Sequence, residues 1–81
     1  MSDPFTIDVR GLKCPLPVLK AMNRMAPLAP GVRVVVLATD PMAAVDIPHF
    51  CNEQGHRLLA REQAGEELRF EIEKGGPPDG R

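Results

Sequence analysis

The apolar positions change their period several times along the chain, and each change marks an element. Phe5-Thr6-Ile7-Asp8-Val9 alternates apolar and polar residues, which predicts a half-buried strand with Phe5, Ile7 and Val9 facing in, ended by Arg10-Gly11. From Pro15 to Met25 the spacing becomes helical: Val18, Ala21, Met22 and Met25 share one face, and Lys20, Asn23 and Arg24 lie on the other. Pro27 to Gly31 stops that helix, with Pro30-Gly31 as a turn pair. Val32 to Ala38 is β-branched and apolar at nearly every position, the pattern of a central strand. Asp40 then reads as an N-cap with Pro41 at the first helical position, opening a helix that extends to about Gln54. Pro48 deletes the bond to the Ala44 carbonyl, so a kink or a break into two helical pieces is expected there, and Gly55 closes the element. Arg57 to Glu62 and Glu67 to Lys74 are two further strands around a turn at Gln63 to Glu66. In the last one Leu68, Phe70 and Ile72 face in.

The order is βαβαββ. In so short a chain it predicts a two-layer α/β (α+β) sandwich: a four-stranded mixed sheet with both helices packed on one face. Residues 1–74 form the single domain, and 75–81 is a Gly/Pro tail expected to be disordered. The other sheet face, presenting Val35 and Leu37, is expected to be partly exposed and open to a partner.

Composition narrows the function. With 81 residues, 43% of them apolar, and a net charge of -1, the chain has one thin core and no depth for a closed cofactor site. There is no Trp or Tyr and no basic excess, which argues against direct nucleic-acid binding. The longest apolar run, Val34 to Ala38, is far too short to span a membrane, and Met1 to Thr6 lacks the basic and apolar regions of a signal peptide. The expected compartment is the cytoplasm. There Cys14 and Cys51 are read as thiols and not as a disulfide.

Cys14-Pro15-Leu16-Pro17 is the most informative tetrapeptide. It places a thiol at the expected N-cap of the first helix, where the helix dipole and Lys13 favour thiolate. Pro15 and Pro17 carry no N–H, which leaves the amides of Leu16 and Val18 as donors, and they rigidify the first turn. Where a C-x-x-C redox pair would have its resolving cysteine, Pro17 stands. A sulfur atom held on Cys14 as a persulfide would thus not be expelled within the motif, which favours a carrier over an oxidoreductase. The plain alternative is a small half-buried residue at an ordinary Pro-started helix.

Asp8-Val9-Arg10-Gly11-Leu12-Lys13-Cys14-Pro15-Leu16-Pro17, followed by Ala38-Thr39-Asp40-Pro41 and Asp46-Ile47-Pro48-His49-Phe50-Cys51, resembles the TusA/SirA/YedF sulfur-carrier family over residues 5–74. The resemblance implies a sulfurtransferase of the carrier type that needs no cofactor. Cys14 would accept persulfide sulfur from a cysteine desulfurase or another sulfurtransferase and relay it to an acceptor protein. The last segment looks most like the TusA branch, which serves tRNA 2-thiouridine formation. Other branches serve molybdenum cofactor assembly, sulfur oxidation or selenium metabolism. Leu16 stands where the TusA branch commonly has Glu, Met42-Ala43-Ala44-Val45 replaces a more polar run, and Met22 and Ala26 fall at positions that can be basic. These departures bear on the partners.

Of the remaining residues, Arg10, Lys20, Arg24 and Asp40 are candidates for partner docking, against the alternatives of a solvated face and, for Asp40, of a simple cap. Cys51 is expected to be an inert core residue. His49 and His56 fit no zinc spacing with the cysteines, so no metal is expected. Met22, Met25 and Met42 are core or rim packing, or an adaptable docking surface where exposed. The chain is expected to act as a monomer, and the competing functional class is a non-catalytic interaction or regulatory module.

Overall fold

The computed structural model describes residues 4–76. Its elements are β1 (Phe5–Asp8), α1 (Leu16–Met25), β2 (Arg33–Ala38), α2 (Ala43–Gln54), β3 (Arg57–Ala64) and β4 (Glu67–Glu73). They form the expected two-layer sandwich, with one four-stranded sheet in the order β1-β2-β4-β3. β1 runs parallel to β2, and β4 runs antiparallel to both β2 and β3.

Side-chain alternation decides which sheet face receives the helices. Ile7 pairs with Val36, Val34 with Ile72, Val36 with Phe70 and Ala38 with Leu68. All of these are buried, against Ala21 and Met25 of α1 and Ala43, Ile47, Phe50 and Cys51 of α2. Val9 is fully buried just past β1, and its N–H still donates to the Leu37 carbonyl at 2.8 Å. Between Leu58 and Ala60 a β-bulge shifts the register, so Leu58 still faces Ile72 while Leu59 is left exposed.

The opposite sheet face departs from expectation. Val35 is only 5% exposed. It lies in register between Thr6 and Glu71, and this face carries charged side chains in pairs: Arg33 with Glu71, Arg57 with Glu73, and Arg69 with Glu62. Such exposed pairs contribute little stability each, but they leave no open apolar patch around Val35 and Leu37. An apolar partner surface is therefore not found there.

The second helix also differs. Met42, and not Asp40, is its N-cap, and Asp40 and Pro41 belong to a preceding turn in which the Asp40 carbonyl accepts from the Ala43 N–H at 2.9 Å. Pro48 lies inside an unbroken helix. One missing backbone bond is tolerated because Ile47, Phe50 and Cys51, on either side of it, are all held in the core. Gly55 closes α2 in the left-handed region at φ 77°, as expected, and the His56 N–H reaches back to the Cys51 carbonyl at 2.8 Å. The β3–β4 loop is tighter than read from sequence, since Ala64 pairs with Glu67 and only Gly65 and Glu66 turn the chain. Of these two, only Gly65 has positive φ, 62°, as a two-residue hairpin with glycine first requires.

Of the tail expected to be disordered, residues 77–81 fall outside the described residues. The Gly75 N–H donates to His56 Nδ1 at 2.9 Å, next to the Phe50 ring that His56 meets edge-on. A Cβ on Gly55 would meet nothing nearby, so the cost of Gly55→Ala is conformational. We expect it to lower stability by about 1 kcal/mol, read as a lower urea midpoint with an unchanged slope, whereas Gly55→Asn should cost less.

Candidate active site

Because β1 and β2 are parallel neighbours, the loops that leave them emerge at the same edge of the sheet. One leads into α1 and the other into α2, so the first turns of both helices are brought together. The two loops are tied to each other. The Thr39 hydroxyl accepts from the Gly11 N–H at 2.9 Å, and Asp40 Oδ2 accepts from the Cys14 N–H at 2.6 Å. The other oxygen, Oδ1, accepts from the Met42 N–H at 3.3 Å. Asp40 therefore positions the thiol-bearing residue and is not the N-cap of α2.

Cys14 itself is exposed. It precedes the cap by one residue: Pro15 is the N-cap of α1, Leu16 the first helical residue and Pro17 the second. The Cys14–Pro15 peptide bond is cis. The thiol Sγ donates to Asp46 Oδ2 at 3.0 Å. This places it at one end of an open cleft of about 360 Å³ between the helices, lined by Pro15, Val18, Met22, Asp46, His49 and Phe50 among others.

The electrostatics run against the sequence expectation. The hydrogen bond to Asp46, with smaller effects from desolvation and from the charges of Asp46 and Asp40, raises the Cys14 pKa above the ordinary thiol value. The resting group is a protonated thiol. Lys13 does not offset this, because it lines a different groove, between the β2–α2 loop and the β3–β4 hairpin, with Thr39, Pro41, Gln63 and Gly65. Nor does the Leu16 amide, whose N–H is taken by the Lys13 carbonyl at 2.8 Å. Pro17 is buried and Val18 half-buried, so these two anchor the first turn of α1 on the core. A carboxylate at hydrogen-bond distance outweighs a helix dipole, whose effect is modest at an exposed position.

The expected docking cations are engaged within the chain. Arg10 Nε and Nη2 hold both carboxylate oxygens of Asp8, each at 2.9 Å, which lowers the Asp8 pKa to about 2 and raises that of Arg10. A further Arg10 nitrogen stands 3.5 Å from Glu67. Lys20 donates to the Asp8 carbonyl at 3.1 Å, and the Arg24 guanidinium lies 5.5 Å above the Phe5 ring. Cys51 is 2% exposed, and burial pushes its thiol up to about 11. Among the described residues no cluster of His, Cys, Asp and Glu is suited to hold a metal ion.

Asp46 is the residue that reading the sequence passed over. It lies 32 positions from Cys14, and no local pattern links the two. Its only signal was membership of the Asp-Ile-Pro segment that carried the resemblance.

The family model described as sulfurtransferase TusA matches residues 5–74. Among solved structures, a SirA-like protein from Desulfitobacterium hafniense superposes with a TM-score of 0.76 at 26% identity, covering 89% of this chain and 99% of that one.

The Asp46 contact makes the thiol's acidity testable. Asp46→Asn removes the carboxylate that favours the protonated form, so the Cys14 pKa should fall. In Cys51→Ser protein, where Cys14 is the sole thiol, the pH–rate profile for iodoacetamide should move to lower pH. Alkylation at neutral pH should become several-fold faster. An unmoved profile would mean that Asp46 does not control the thiol.

Proposed function

The chain belongs to the TusA sulfurtransferase family, and on that premise we propose that it carries sulfur as a persulfide on Cys14, taking it from a donor protein and surrendering it to an acceptor. The observation that carries this reading is the exposed Cys14 thiol, open to the helix cleft, with its proton directed at the Asp46 carboxylate 3.0 Å away.

Loading needs neither oxidant nor cofactor. Cys14 Sγ attacks the terminal sulfur of a donor persulfide, the donor's S–S bond breaks as the new one forms, and the thiol proton passes to Asp46. The donor leaves as a thiolate and is reprotonated, so that R–S–SH and Cys14–SH become R–SH and Cys14–S–SH. Unloading is the same exchange with an acceptor thiol attacking the terminal sulfur of Cys14. A proton acceptor already in contact is the useful feature, since a thiol of raised pKa presents little thiolate until the proton has somewhere to go.

Persistence of the loaded state is favoured by what surrounds it. Position 17 is a proline, and Cys51 is shut in the core. Asp40 holds the Cys14 backbone, and the buried Pro17 and Ala21 hold α1 beneath it. Use of a free thiol suits the reducing cytoplasm, and no helix among the described residues is long and apolar enough to cross a membrane. The Asp46-Ile47-Pro48-His49-Phe50-Cys51 segment favours tRNA 2-thiouridine as the destination of the sulfur.

Incubated with a cysteine desulfurase and cysteine, or with inorganic polysulfide, wild type and Cys51→Ser should each gain sulfur that a reductant removes, read by intact mass. Cys14→Ser should gain none. Loading of Cys14→Ser would overturn the assignment, while normal cellular function of Cys14→Ser would favour the non-catalytic interaction module.

A further inference from the structure

Among the described residues six large apolar side chains are exposed, and five of them lie along α1 or at the start of α2, the two helices that frame Cys14. They are Leu16, Leu19 and Met22 on α1, Met42 at the N-cap of α2, and Val45 in its first turn, with exposures from 38% for Met22 to 61% for Val45. Val45 adjoins Asp46, which holds Sγ, and the Met42 amide shares the Asp40 carboxylate with the Cys14 amide. Met22 lines the cleft that opens at Cys14. A small single domain seldom concentrates its exposed apolar side chains in this way without a use for them.

Resting on the carrier reading, the chemistry says what must cover this face. A sulfur atom passes between two cysteines only when the second sulfur comes within bonding range of the first, about 2 Å. The surface around Cys14 is then pressed against the segment that bears the partner's cysteine. Of the cations, Arg10, Lys20 and Arg24 are already engaged by Asp8, Glu67 and Phe5, and Lys13, though next to Cys14 in the chain, lines a groove other than the cleft. The charged residues of the cleft, Asp46, Glu53 and His49, are acidic or, as with His49, 3.7 Å from Glu53. We propose that the apolar collar of Leu16, Leu19, Met22, Met42 and Val45 selects partner proteins whose sulfur-bearing cysteine is flanked by apolar residues, and that docking is hydrophobic and not electrostatic.

This choice separates the collar from a charge-steered surface. Hydrophobic contact is insensitive to screening, whereas association between exposed opposite charges weakens as the Debye length shrinks to about 3 Å near 1 M salt.

Short synthetic peptides carrying a cysteine persulfide flanked by leucine, serine, glutamate or lysine supply the test, with inorganic polysulfide as a donor too small to use the collar. The leucine-flanked peptide should load Cys14 about tenfold faster than the serine-flanked one, with a ratio that does not decline at high salt. Leu19→Ser and Val45→Ser should each reduce that advantage while leaving polysulfide loading unchanged. The fastest loading by the lysine- or glutamate-flanked peptide, or equal loading by all four, would overturn the collar but leave the carrier intact. Failure of polysulfide and every peptide to place sulfur on Cys14 would overturn the carrier reading itself.

Discussion

The Asp40 carboxylate takes one backbone N–H from each of two loops, that of Cys14 through Oδ2 and that of Met42 through Oδ1. These loops belong to different βα units, and nothing in the chain's local propensities obliges them to touch. Parallel pairing of β1 and β2 brings them to one edge, and the carboxylate sets their spacing. Once Met42 is fixed, α2 begins at Ala43, and Asp46 falls one turn along at the distance where it meets the Cys14 thiol. A charge-assisted bond to backbone N–H is among the stronger of the hydrogen bonds available to a small domain. Here it converts a sheet topology into a thiol environment.

That environment inverts a common expectation about cysteines at helix starts. The first turn of α1 has lost two amide hydrogens to Pro15 and Pro17, and the Leu16 N–H is bonded to the Lys13 carbonyl. The group in hydrogen-bond contact with Sγ is a carboxylate, that of Asp46. The thiol is consequently kept in its less reactive form at rest, which guards an exposed sulfur against adventitious alkylation and oxidation. On the carrier reading, persulfide exchange draws on Asp46 to take the proton, whereas a reagent that needs standing thiolate, such as an alkylating agent, meets little of it.

Much of the fold could be read from the order of residues because it follows from periods of two and about four. The inward set Leu68, Phe70 and Ile72, the central strand and the Gly55 cap are each specified by neighbours close in sequence. What could not be read depends on tertiary placement. Val35 has the pattern of an exposed apolar residue and is covered by its lateral neighbours. Pro48 has the pattern of a helix breaker and is carried by the core contacts around it. Cys14 stood out as a thiol before a Pro-rich helix start, but its partner Asp46 is remote in sequence. Lys13, adjacent in sequence, faces another groove. For the electrostatics of this site, proximity along the chain was the wrong guide.

Loading and unloading converge on one atom, Cys14 Sγ, at one end of the open cleft between the helices. The floor of the cleft is the pair of helices, and behind them lies the sheet, whose far side is covered by paired charges. On the carrier reading, a donor and an acceptor must reach the same atom, so neither can be present while the other is engaged. Exchange is then ping-pong: the loaded protein has to leave its first partner, diffuse alone and find the second. The lifetime of the free loaded form, and not the affinity of any ternary assembly, would set how far the sulfur can travel.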